Sequence, residues 1–274
     1  TETYSAAVRA AAAMGPEARV VFRVLDLGGD KLMRGRATRE PNPFLGNRSI
    51  RWLLMHRDEF RKQLRAILRA SHYGKIKLMY PMVSCVEELT AAAVVLREVQ
   101  AELKAAGIPF DEDMLVGAMI EVPSAALNAE ALAPLVDFFS IGTNDLVQYT
   151  MAADRGNEAV AHLYQPFNPA VLKLMRMTIE AARRNAVCVG VCGESASDPI
   201  VGVFWAALGV DVLSMSSTYI PAMAKLFAKL TRADLDDYAK VPDSLPVGAT
   251  AQAIYDACHA FLAQRIPDLD NILL

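Results

Sequence analysis

The chain contains no hydrophobic segment long enough to cross a membrane. Its longest apolar run covers residues 199–210, whereas a membrane-spanning helix needs roughly 20 residues, and no signal peptide is recognisable. The four cysteines form no CxxC pair, which argues against a disulfide framework or a zinc site and favours a reducing cytoplasm. The net charge of −3 provides no basic surface for nucleic acid. We therefore expect a cytoplasmic protein without membrane insertion or nucleic-acid binding.

Short apolar runs alternate with helical patterns along the 274 residues, of which 53% are hydrophobic. Six runs predict buried strands, at residues 20–27, 76–82, 116–122, 136–141, 187–192 and 210–215. Apolar strands separated by helices indicate an α/β fold with a parallel sheet and βα crossovers. A (β/α)8 barrel has eight strands and an open doubly wound sheet accepts six, so the count alone leaves both possibilities open.

Three helix starts can be read from capping patterns. Ser84 followed by Glu87 predicts a capping box, and both Asn168-Pro169 and Asp198-Pro199 combine a capping side chain with a proline at the first helical position. These starts fix where three of the helices are expected to begin.

An amide and a carboxylate follow the fourth predicted strand side by side. Asn144 and Asp145 come directly after a Gly-Thr turn, and Arg155 follows ten residues after the carboxylate. Amide, carboxylate and guanidinium are the groups needed to hold a metal-bound, phosphorylated carboxylic acid. This stretch therefore predicts a site for such a ligand.

Other polar residues lie at the ends of neighbouring predicted strands. Arg23 lies in the first strand, Glu121 near the end of the third, and Cys192 at the end of the fifth. Taken alone, each fits a cap or a surface group. In a parallel barrel, however, the carboxyl ends of the strands converge on the active-site face, so their joint occurrence favours a site.

Each residue type has a chemical task if the ligand is a phosphorylated enol acid. Glu121 and Asp145 can bind Mg²⁺, which takes its remaining ligands from water and substrate oxygens. Arg23, Arg48 and Arg155 offer planar forks for carboxylate and phosphate; Arg48 also fits a surface residue at a helix start. Cys192 can donate a proton, since a free thiol with a pKa of ~8.5 is mostly protonated at neutral pH, although a small buried hydrophobe is the commoner role of a free cysteine and the one that spacing alone favours.

Several motifs, in this order along nearly the whole chain, resemble enzyme I of the bacterial sugar phosphotransferase system, a phosphoenolpyruvate-protein phosphotransferase. They are RVLDLGGDK at 23–31, NPFLGNR at 42–48, QLRAILRAS at 63–71, EVPSAA at 121–126, DFFSIGTNDLVQY at 137–149, DRGN at 154–157 and VCGE at 191–194. The block at 137–148 alone also fits pyruvate phosphate dikinase and phosphoenolpyruvate synthase. The GGDK and NPFLG blocks favour enzyme I.

The resemblance implies a phosphoenolpyruvate/pyruvate-type (β/α)8 TIM barrel that forms a homodimer. It implies Glu121 and Asp145 as Mg²⁺ ligands and Cys192 as the acid that protonates the enol carbon to give pyruvate. It also implies four residues that hold phosphoenolpyruvate: Arg23, Arg48, Asn144 and Arg155. The arginines and Mg²⁺ would neutralise charge on the transferring phosphoryl group and on the enolate.

The chain departs from the enzyme I pattern in three places. Enzyme I transfers the phosphoryl group to a histidine in a Gly-Gly-x-Thr-Ser-His setting on a separate domain, and none of the four histidines here has that setting. Two barrel strands, including a Gly-Leu-x-Arg-Thr-Glu segment, have no counterpart. We expect residues 1–274 to be one barrel domain, with those strands and the phosphohistidine domain, which serves a histidine-containing phosphocarrier protein, upstream in a longer parent. Residues 194–197 read Glu-Ser-Ala-Ser instead of Glu-Leu-Ala-Gly, with little expected effect on binding.

Two other functions remain compatible with the residues. A metal-dependent pyruvate-enolate aldolase or lyase would share the barrel and the carboxylate pair, although three arginines are many for an unphosphorylated substrate. A non-catalytic dimerisation or regulatory module would keep the barrel without its chemistry. The sugar and nitrogen-regulatory branches of enzyme I are not separated by these residues.

Overall fold

The structure is a computed structural model that describes residues 1–15, 17–27 and 40–269. The chain divides into two compact units, the first formed by Thr1–Met119 with Ala131–Phe138 and the second by Ile120–Glu130 with Phe139–Leu274. The strands are β1 (Val20–Arg23), β2 (Ile76–Tyr80), β3 (Leu115–Ile120), β4 (Phe138–Gly142), β5 (Cys188–Cys192) and β6 (Val212–Leu213). The GGDK part of the first motif lies outside the described residues.

The helices alternate with these strands. They are α1 (Glu2–Ala12), α2 (Ile50–Met55), α3 (Arg57–Ser71), α4 (Val86–Ala105), α5 (Pro123–Leu127), α6 (Ala129–Leu132), α7 (Thr143–Met151), α8 (Pro169–Arg184), α9 (Pro199–Ala207), α10 (Ile220–Phe227), α11 (Arg232–Tyr238) and α12 (Ala251–Arg265). In the part of the chain that the structure describes, no helix has the length and apolar character that a membrane span requires.

The first unit is built on the parallel strands β1, β2 and β3, which are neighbours in that order. Val20 of β1 pairs with Ile76 of β2, and Lys77 of β2 pairs with Leu115 of β3. Helices α3 and α4 pack on each other and bury an apolar core, because their inward positions carry leucine, isoleucine, valine and phenylalanine.

The second unit contains the neighbouring strands β4, β5 and β6. Strands β5 and β6 are parallel, with Gly190 opposite Val212 and Val191 opposite Leu213. Helix α9 is almost entirely buried and contacts α10, α11 and α12. Its uniformly apolar sequence is explained by these three neighbours, since a helix that is apolar on every face needs cover on every face.

Two aspartates start strands in the same way. The N–H of Asp137, just before β4, donates to the Val116 carbonyl at 2.7 Å, and its Oδ2 accepts from the Val116 N–H at 2.7 Å. Asp211, just before β6, makes the same pair of bonds with Val189, both at 2.8 Å. The carboxylate thus replaces one backbone carbonyl of the ladder and begins the parallel pairing.

The predicted α/β class with parallel strands and helical crossovers is confirmed, and six strands occur in the described residues. Each of the six predicted apolar runs overlaps a strand, although each strand is shorter than its run and β3 and β4 extend one residue beyond theirs; β6 has only two residues. Glu121 lies one residue beyond the end of β3 and not inside it. The prediction of a single domain over 1–274 stays a prediction.

Two of the three predicted helix caps are confirmed. The Asn168 side chain accepts from the Ala170 N–H, and Asp198 accepts from the N–H groups of Ile200 and Val201. The predicted Ser84–Glu87 box is wrong. Helix α4 begins at Val86, and Ser84 donates its N–H and hydroxyl to Glu88, at 2.6 and 3.0 Å. Because the helix starts one residue later than predicted, the carboxylate that bonds to Ser84 is that of Glu88 and not that of Glu87.

Candidate active site

Glu121 is a buried carboxylate at the carboxyl end of β3, with 3% of its surface exposed. Two residues later Pro123 begins α5. A proline at the first helical position has its φ angle already fixed for the helix. The chain therefore passes from strand to helix directly after Glu121, which holds this carboxylate at the strand end.

Asn144 and Asp145 lie in the first turn of α7, because β4 ends at Gly142 and the helix begins at Thr143. Asp145 is buried, with 9% of its surface exposed. The partial positive charge of a helix N-terminus favours a carboxylate there. Helices α5 and α7 pack on each other, so the helix that begins two residues after Glu121 lies beside the helix that carries Asp145.

The hydrogen bonds of Asn144 fix the orientation of its amide. Its Oδ1 accepts from the Glu194 N–H at 3.1 Å and from the Tyr164 hydroxyl at 3.1 Å. A backbone N–H can only donate, so the atom that receives it must be the amide oxygen and not the nitrogen. The amide nitrogen of Asn144 is therefore the donor end of the side chain, as a ligand with phosphate and carboxylate oxygens requires.

Cys192 ends β5, and residues of β4 and α7 hold it. The Ser140 hydroxyl donates to Cys192 Sγ at 3.5 Å, and the Thr143 hydroxyl donates to the Cys192 carbonyl at 3.0 Å. The thiol is half-buried, so the interpretation as a fully buried hydrophobe does not describe it. These contacts place the predicted acid beside the helix turn that carries the predicted metal ligand.

Gly193 allows the close approach of the two turns. Its φ angle is +103°, and a Cβ at this position would lie 2.6 Å from Thr143 Oγ1 and 2.8 Å from Asn144 Oδ1. Both distances are shorter than carbon–oxygen contacts allow, and the backbone angle itself favours glycine. Residue 193 must therefore lack a side chain if Cys192 and Asn144 are to keep their positions.

Arg155 is an exposed residue on the loop after α7. The helix ends with Ala152 in the left-handed conformation, at φ +51°, and the Arg155 N–H donates to Gln148 Oε1 at 3.1 Å. Asp154 accepts from the Gly156 N–H at 2.8 Å, a turn typical of aspartate. These bonds order the backbone that carries the Arg155 side chain.

Tyr164 is a residue of this cluster that was not among the predicted site residues. Its hydroxyl donates to Asn144 and interacts with the Arg155 side chain. Burial, followed by the charge of Glu194, raises the pKa of Tyr164 to about 12. The hydroxyl therefore remains a donor at every physiological pH. Tyr164 and Asn144 are 20 residues apart in the sequence. No sequence motif therefore indicates that Tyr164 contacts this amide.

In the first unit, Arg48 forms a buried ion pair with Asp26. The Nη2–Oδ2 distance is 2.9 Å, the Nε–Oδ1 distance is 3.3 Å, and the two side chains are 2% and 5% exposed. The interpretation of Arg48 as a surface residue at a helix start is therefore wrong. Sequence reasoning missed Asp26 as its partner. Arg23, the last residue of β1, is exposed.

The donor set of the second unit fits a hard divalent cation. Glu121 and Asp145 are both buried carboxylates, and Mg²⁺ is commonly bound by one or two carboxylates together with substrate oxygens and water. Among the described residues, no group of three or more histidine, cysteine, aspartate or glutamate side chains could hold a metal. A cation here would take its other ligands from substrate and solvent.

Residues 1–232 match a protein-family model described as PEP-utilising enzyme, PEP-binding domain, where PEP is phosphoenolpyruvate. The chain belongs to this family. The PEP-utilising enzymes depend on a metal ion, which agrees with the carboxylate pair. The match covers every predicted site residue, from Arg23 to Cys192, and the resemblance to enzyme I is confirmed by the relatives that follow.

Three curated relatives at high identity carry the name phosphoenolpyruvate-protein phosphotransferase. The protein from Priestia megaterium is 50% identical over 220 residues, which are 80% of this chain and 38% of that protein. The protein from Geobacillus stearothermophilus is 48% identical over 237 residues, or 86% and 40% of the two chains. The protein from Bacillus subtilis is 49% identical over 220 residues, or 80% and 39%.

The chain thus spans about two fifths of the length of the curated relatives that it matches. Among solved structures, a citrate lyase from Burkholderia xenovorans superposes with a TM-score of 0.48 and 16% sequence identity, over 75% of this chain and 69% of that one.

Proposed function

We propose that this chain is the phosphoenolpyruvate-binding catalytic part of a phosphoenolpyruvate-protein phosphotransferase. Family membership and relatives of about 50% identity support it. In the proposed reaction, the phosphoryl group of phosphoenolpyruvate passes to a histidine outside this chain and pyruvate is released. The chain contributes the site that binds the substrate and the acid that protonates the enolate.

The orientation of Asn144 is the observation that carries this proposal. Two donors hold its amide oxygen, so its nitrogen is the end that can donate to an anionic ligand. Arg155 stands on the ordered loop beside Tyr164 and supplies a positive charge. An amide donor and a guanidinium suit a substrate with both carboxylate and phosphate oxygens. For Arg23 and Arg48, the proposal that they also bind phosphoenolpyruvate rests on the resemblance to enzyme I.

Glu121 and Asp145 are the residues that we propose to hold Mg²⁺. When bound, the ion supplies positive charge that stabilises the phosphoryl group and the enolate. The buried position of both carboxylates lowers the local dielectric and strengthens their attraction for a cation.

Cys192 is the proposed acid for the step that follows phosphoryl transfer, the protonation of the enolate. The enolate that remains after loss of the phosphoryl group takes a proton from the thiol at its C3 carbon, which gives pyruvate and a thiolate. A proton from solvent then restores the thiol. Ser140 and Thr143 hold the donor at its sulfur and at its carbonyl, so the thiol meets the substrate in one position.

The remaining components of the reaction are proposed from the resemblance to enzyme I. They are a phosphohistidine domain in the parent protein, a histidine-containing phosphocarrier protein that it serves, a homodimeric assembly and a cytoplasmic location. The chain covers only part of its relatives, so transfer to a carrier requires those other parts.

Isothermal titration of the chain with phosphoenolpyruvate, with and without Mg²⁺, tests the proposal. We expect saturable binding that depends on Mg²⁺, and a loss of at least about tenfold in affinity for Arg155→Ala, since a charge-assisted hydrogen bond contributes roughly 1.5–3 kcal/mol. Lys225→Ala, an exposed cation on α10, is the matched control and should bind normally. If wild-type protein shows no heat with Mg²⁺ and phosphoenolpyruvate, the proposal is wrong. Cleavage of a 4-hydroxy-2-keto acid without phosphoenolpyruvate binding would favour the aldolase alternative.

A further inference from the structure

A chain of buried hydrogen bonds runs from the core of α9 to the end of β5. Trp205 Nε1 donates to Ser195 Oγ at 3.1 Å, Ser195 Oγ donates to Thr143 Oγ1 at 2.8 Å, and Thr143 Oγ1 donates to the Cys192 carbonyl at 3.0 Å. Trp205, Ser195 and Thr143 are 0%, 5% and 1% exposed. The chain therefore lies in a low-dielectric environment in which each bond is strong and a missing partner is costly.

The direction of every bond in this chain is fixed by its two ends. The indole nitrogen of Trp205 can only donate, and the carbonyl of Cys192 can only accept. The hydroxyls of Ser195 and Thr143 between them must then each accept one hydrogen bond and donate the next. No other set of donor and acceptor directions satisfies all three hydrogen bonds, so the two hydroxyl protons have one arrangement.

The hydrogen-bond chain ends at a peptide that would not accommodate a side chain at its second residue. The carbonyl that accepts the last bond belongs to the peptide between Cys192 and Gly193, and Gly193 has the φ angle of +103° and the close contact with Thr143 described above. Thr143 is also the first residue of α7 and the neighbour of Asn144. One hydroxyl thus connects the strand end that carries Cys192 with the helix turn that carries Asn144.

We propose that Ser195, supported by Trp205, is a positioning residue that acts through Thr143 to hold Cys192 in the place from which it protonates the substrate carbon. This inference rests on the proposed function, in which Cys192 is the acid. Ser195 is one of the two serines at which residues 194–197 depart from the enzyme I pattern. Its effect falls on proton transfer, while substrate binding, which depends on Asn144 and Arg155, stays nearly unchanged.

Proton exchange at the methyl group of pyruvate isolates the Cys192 step from phosphoryl transfer. The Cys192 thiolate removes a C3 proton from pyruvate to form the enolate and a thiol, the thiol exchanges its proton with D₂O, and a deuteron returns to C3. No accepting histidine is needed, so this 274-residue protein can be tested without the phosphohistidine domain. Loss of the pyruvate methyl signal in proton NMR gives the rate, and Cys192→Ala should abolish it.

Ser195→Ala is the central variant. We expect its exchange rate to fall roughly ten- to a hundredfold, as happens when a reacting group is displaced by about 1 Å. The affinity for phosphoenolpyruvate should change less than about threefold, because Asn144 keeps both of its donors. The variant is expected to slow proton transfer and not to weaken substrate binding. Ser195→Thr retains the hydroxyl and should restore most of the rate.

Two further variants separate positioning from stability. Ser195→Ala leaves the Trp205 N–H buried without its acceptor, which is costly, whereas the double variant Ser195→Ala/Trp205→Phe removes both partners and recovers stability. The double variant should fold as well as the wild type and still exchange slowly. Ser197→Ala, the neighbouring departure from the pattern, is the matched control and should exchange at the wild-type rate.

The alkylation rate of Cys192 provides a readout that needs no substrate. Peptide mass spectrometry after timed treatment with iodoacetamide follows Cys192, with half-exposed Cys85 as the internal reference. Ser195→Ala should change the rate at Cys192 by more than about threefold, because the released strand end alters access to the thiol, and leave Cys85 unchanged.

The outcomes distinguish this inference from the proposed function. If wild-type protein exchanges pyruvate protons and Cys192→Ala does not, but folded Ser195→Ala matches the wild type in exchange and alkylation, the inference is wrong and the proposed function stands. If wild-type protein neither binds phosphoenolpyruvate nor exchanges pyruvate protons, the proposed function fails. An unchanged Cys192 alkylation rate in Ser195→Ala then overturns the positioning role as well.

Discussion

Asn144 can adopt only one amide orientation, because two donors share its oxygen. One of them, the Glu194 N–H, belongs to the backbone, and the other is the hydroxyl of Tyr164. Since burial raises the pKa of Tyr164 to about 12, this donor is present across the whole physiological range. The residue that orients this proposed substrate-binding amide is a tyrosine 20 positions away in the chain.

Tyr164→Phe should weaken phosphoenolpyruvate binding without unfolding the protein. Loss of one hydrogen bond of about 0.5–1.5 kcal/mol corresponds to a roughly two- to twelvefold rise in the dissociation constant. Titration calorimetry in the presence of Mg²⁺ measures this. Tyr219→Phe, at a half-exposed tyrosine of the same unit, is the control. An unchanged affinity in Tyr164→Phe would show that the Glu194 N–H alone orients the amide.

Arg48 and Arg23 should differ in what they do for stability. Arg48→Ala removes the guanidinium that pairs with the buried Asp26 carboxylate, and breaking such a pair costs about 3–5 kcal/mol. Arg23 is exposed, and Arg23→Ala should change the free energy of unfolding by no more than about 0.5 kcal/mol. Urea denaturation of the two variants measures both values.

The control for Arg48 replaces both members of the pair. Arg48→Met/Asp26→Leu removes both charges and should regain much of the lost stability, since an apolar pair of similar volume often replaces a buried ion pair without cost. Equal destabilisation by Arg48→Ala and Arg23→Ala would contradict the buried pair.

Sequence reasoning could select the polar residues at the strand ends but not the residues that hold them. Glu121, Asn144, Asp145 and Cys192 stand next to apolar runs, where their chemistry is conspicuous. Asp26, Thr143, Ser195 and Trp205 act through contacts between distant parts of the chain, 22 residues for the Arg48–Asp26 pair and 52 for Ser195–Thr143. No local pattern encodes such a contact, so these partners appear only once the chain is folded.

At the scale of elements, the strength of a cap depends on how many backbone N–H groups it serves. Asp198 accepts from two N–H groups at the start of α9, at 2.9 and 3.0 Å. Asp198→Ala should therefore lower the free energy of unfolding by about 0.5–2 kcal/mol, whereas Asp198→Asn should stay near the wild type because asparagine caps equally well. Thermal or urea unfolding checks this, and equal stability of the two variants would show that the cap contributes nothing.

The same elements show where a pattern suffices and where it fails. A proline after asparagine or aspartate marks the starts of α8 and α9 correctly, since proline cannot continue a preceding helical turn. The Ser84 pattern fails because both Glu87 and Glu88 are available, and only the folded backbone decides which carboxylate reaches back. Apolar runs predict where the strands lie, whereas the residue at which each strand ends depends on which backbone N–H and C=O groups form hydrogen bonds with the neighbouring strand.

For the molecule as a whole, buried hydroxyl and thiol groups predict a loss of stability in alkali. Burial raises the pKa of Cys258 to about 12 and that of Tyr164 to about 12, and it also raises the pKa values of Tyr80 and Tyr238. In the unfolded chain these groups ionise near ~8.5 for cysteine and ~10 for tyrosine. Between about pH 9 and 12 the unfolded state therefore binds fewer protons than the folded state, and the free energy of unfolding falls as pH rises.

Urea denaturation at pH 8, 9.5 and 10.5 measures this dependence. We expect the transition midpoint to fall steadily over the series. Cys258→Ala removes one of the cysteines, which ionise before the tyrosines in the unfolded chain, and should flatten the step between pH 8 and 9.5. A midpoint that is constant or rises up to pH 10.5 would contradict the buried, protonated state of these side chains.

A crystal structure of the chain soaked with phosphoenolpyruvate and Mg²⁺ tests the central claim most directly. We predict the substrate at the carboxyl end of β4, with an oxygen accepting from the Asn144 amide nitrogen and a second anionic group at Arg155. The Mg²⁺ ion should lie about 2.0–2.1 Å from carboxylate oxygens of Glu121 and Asp145. Well-defined density for phosphoenolpyruvate elsewhere, with Asn144 and Asp145 untouched by substrate or metal, would contradict the account.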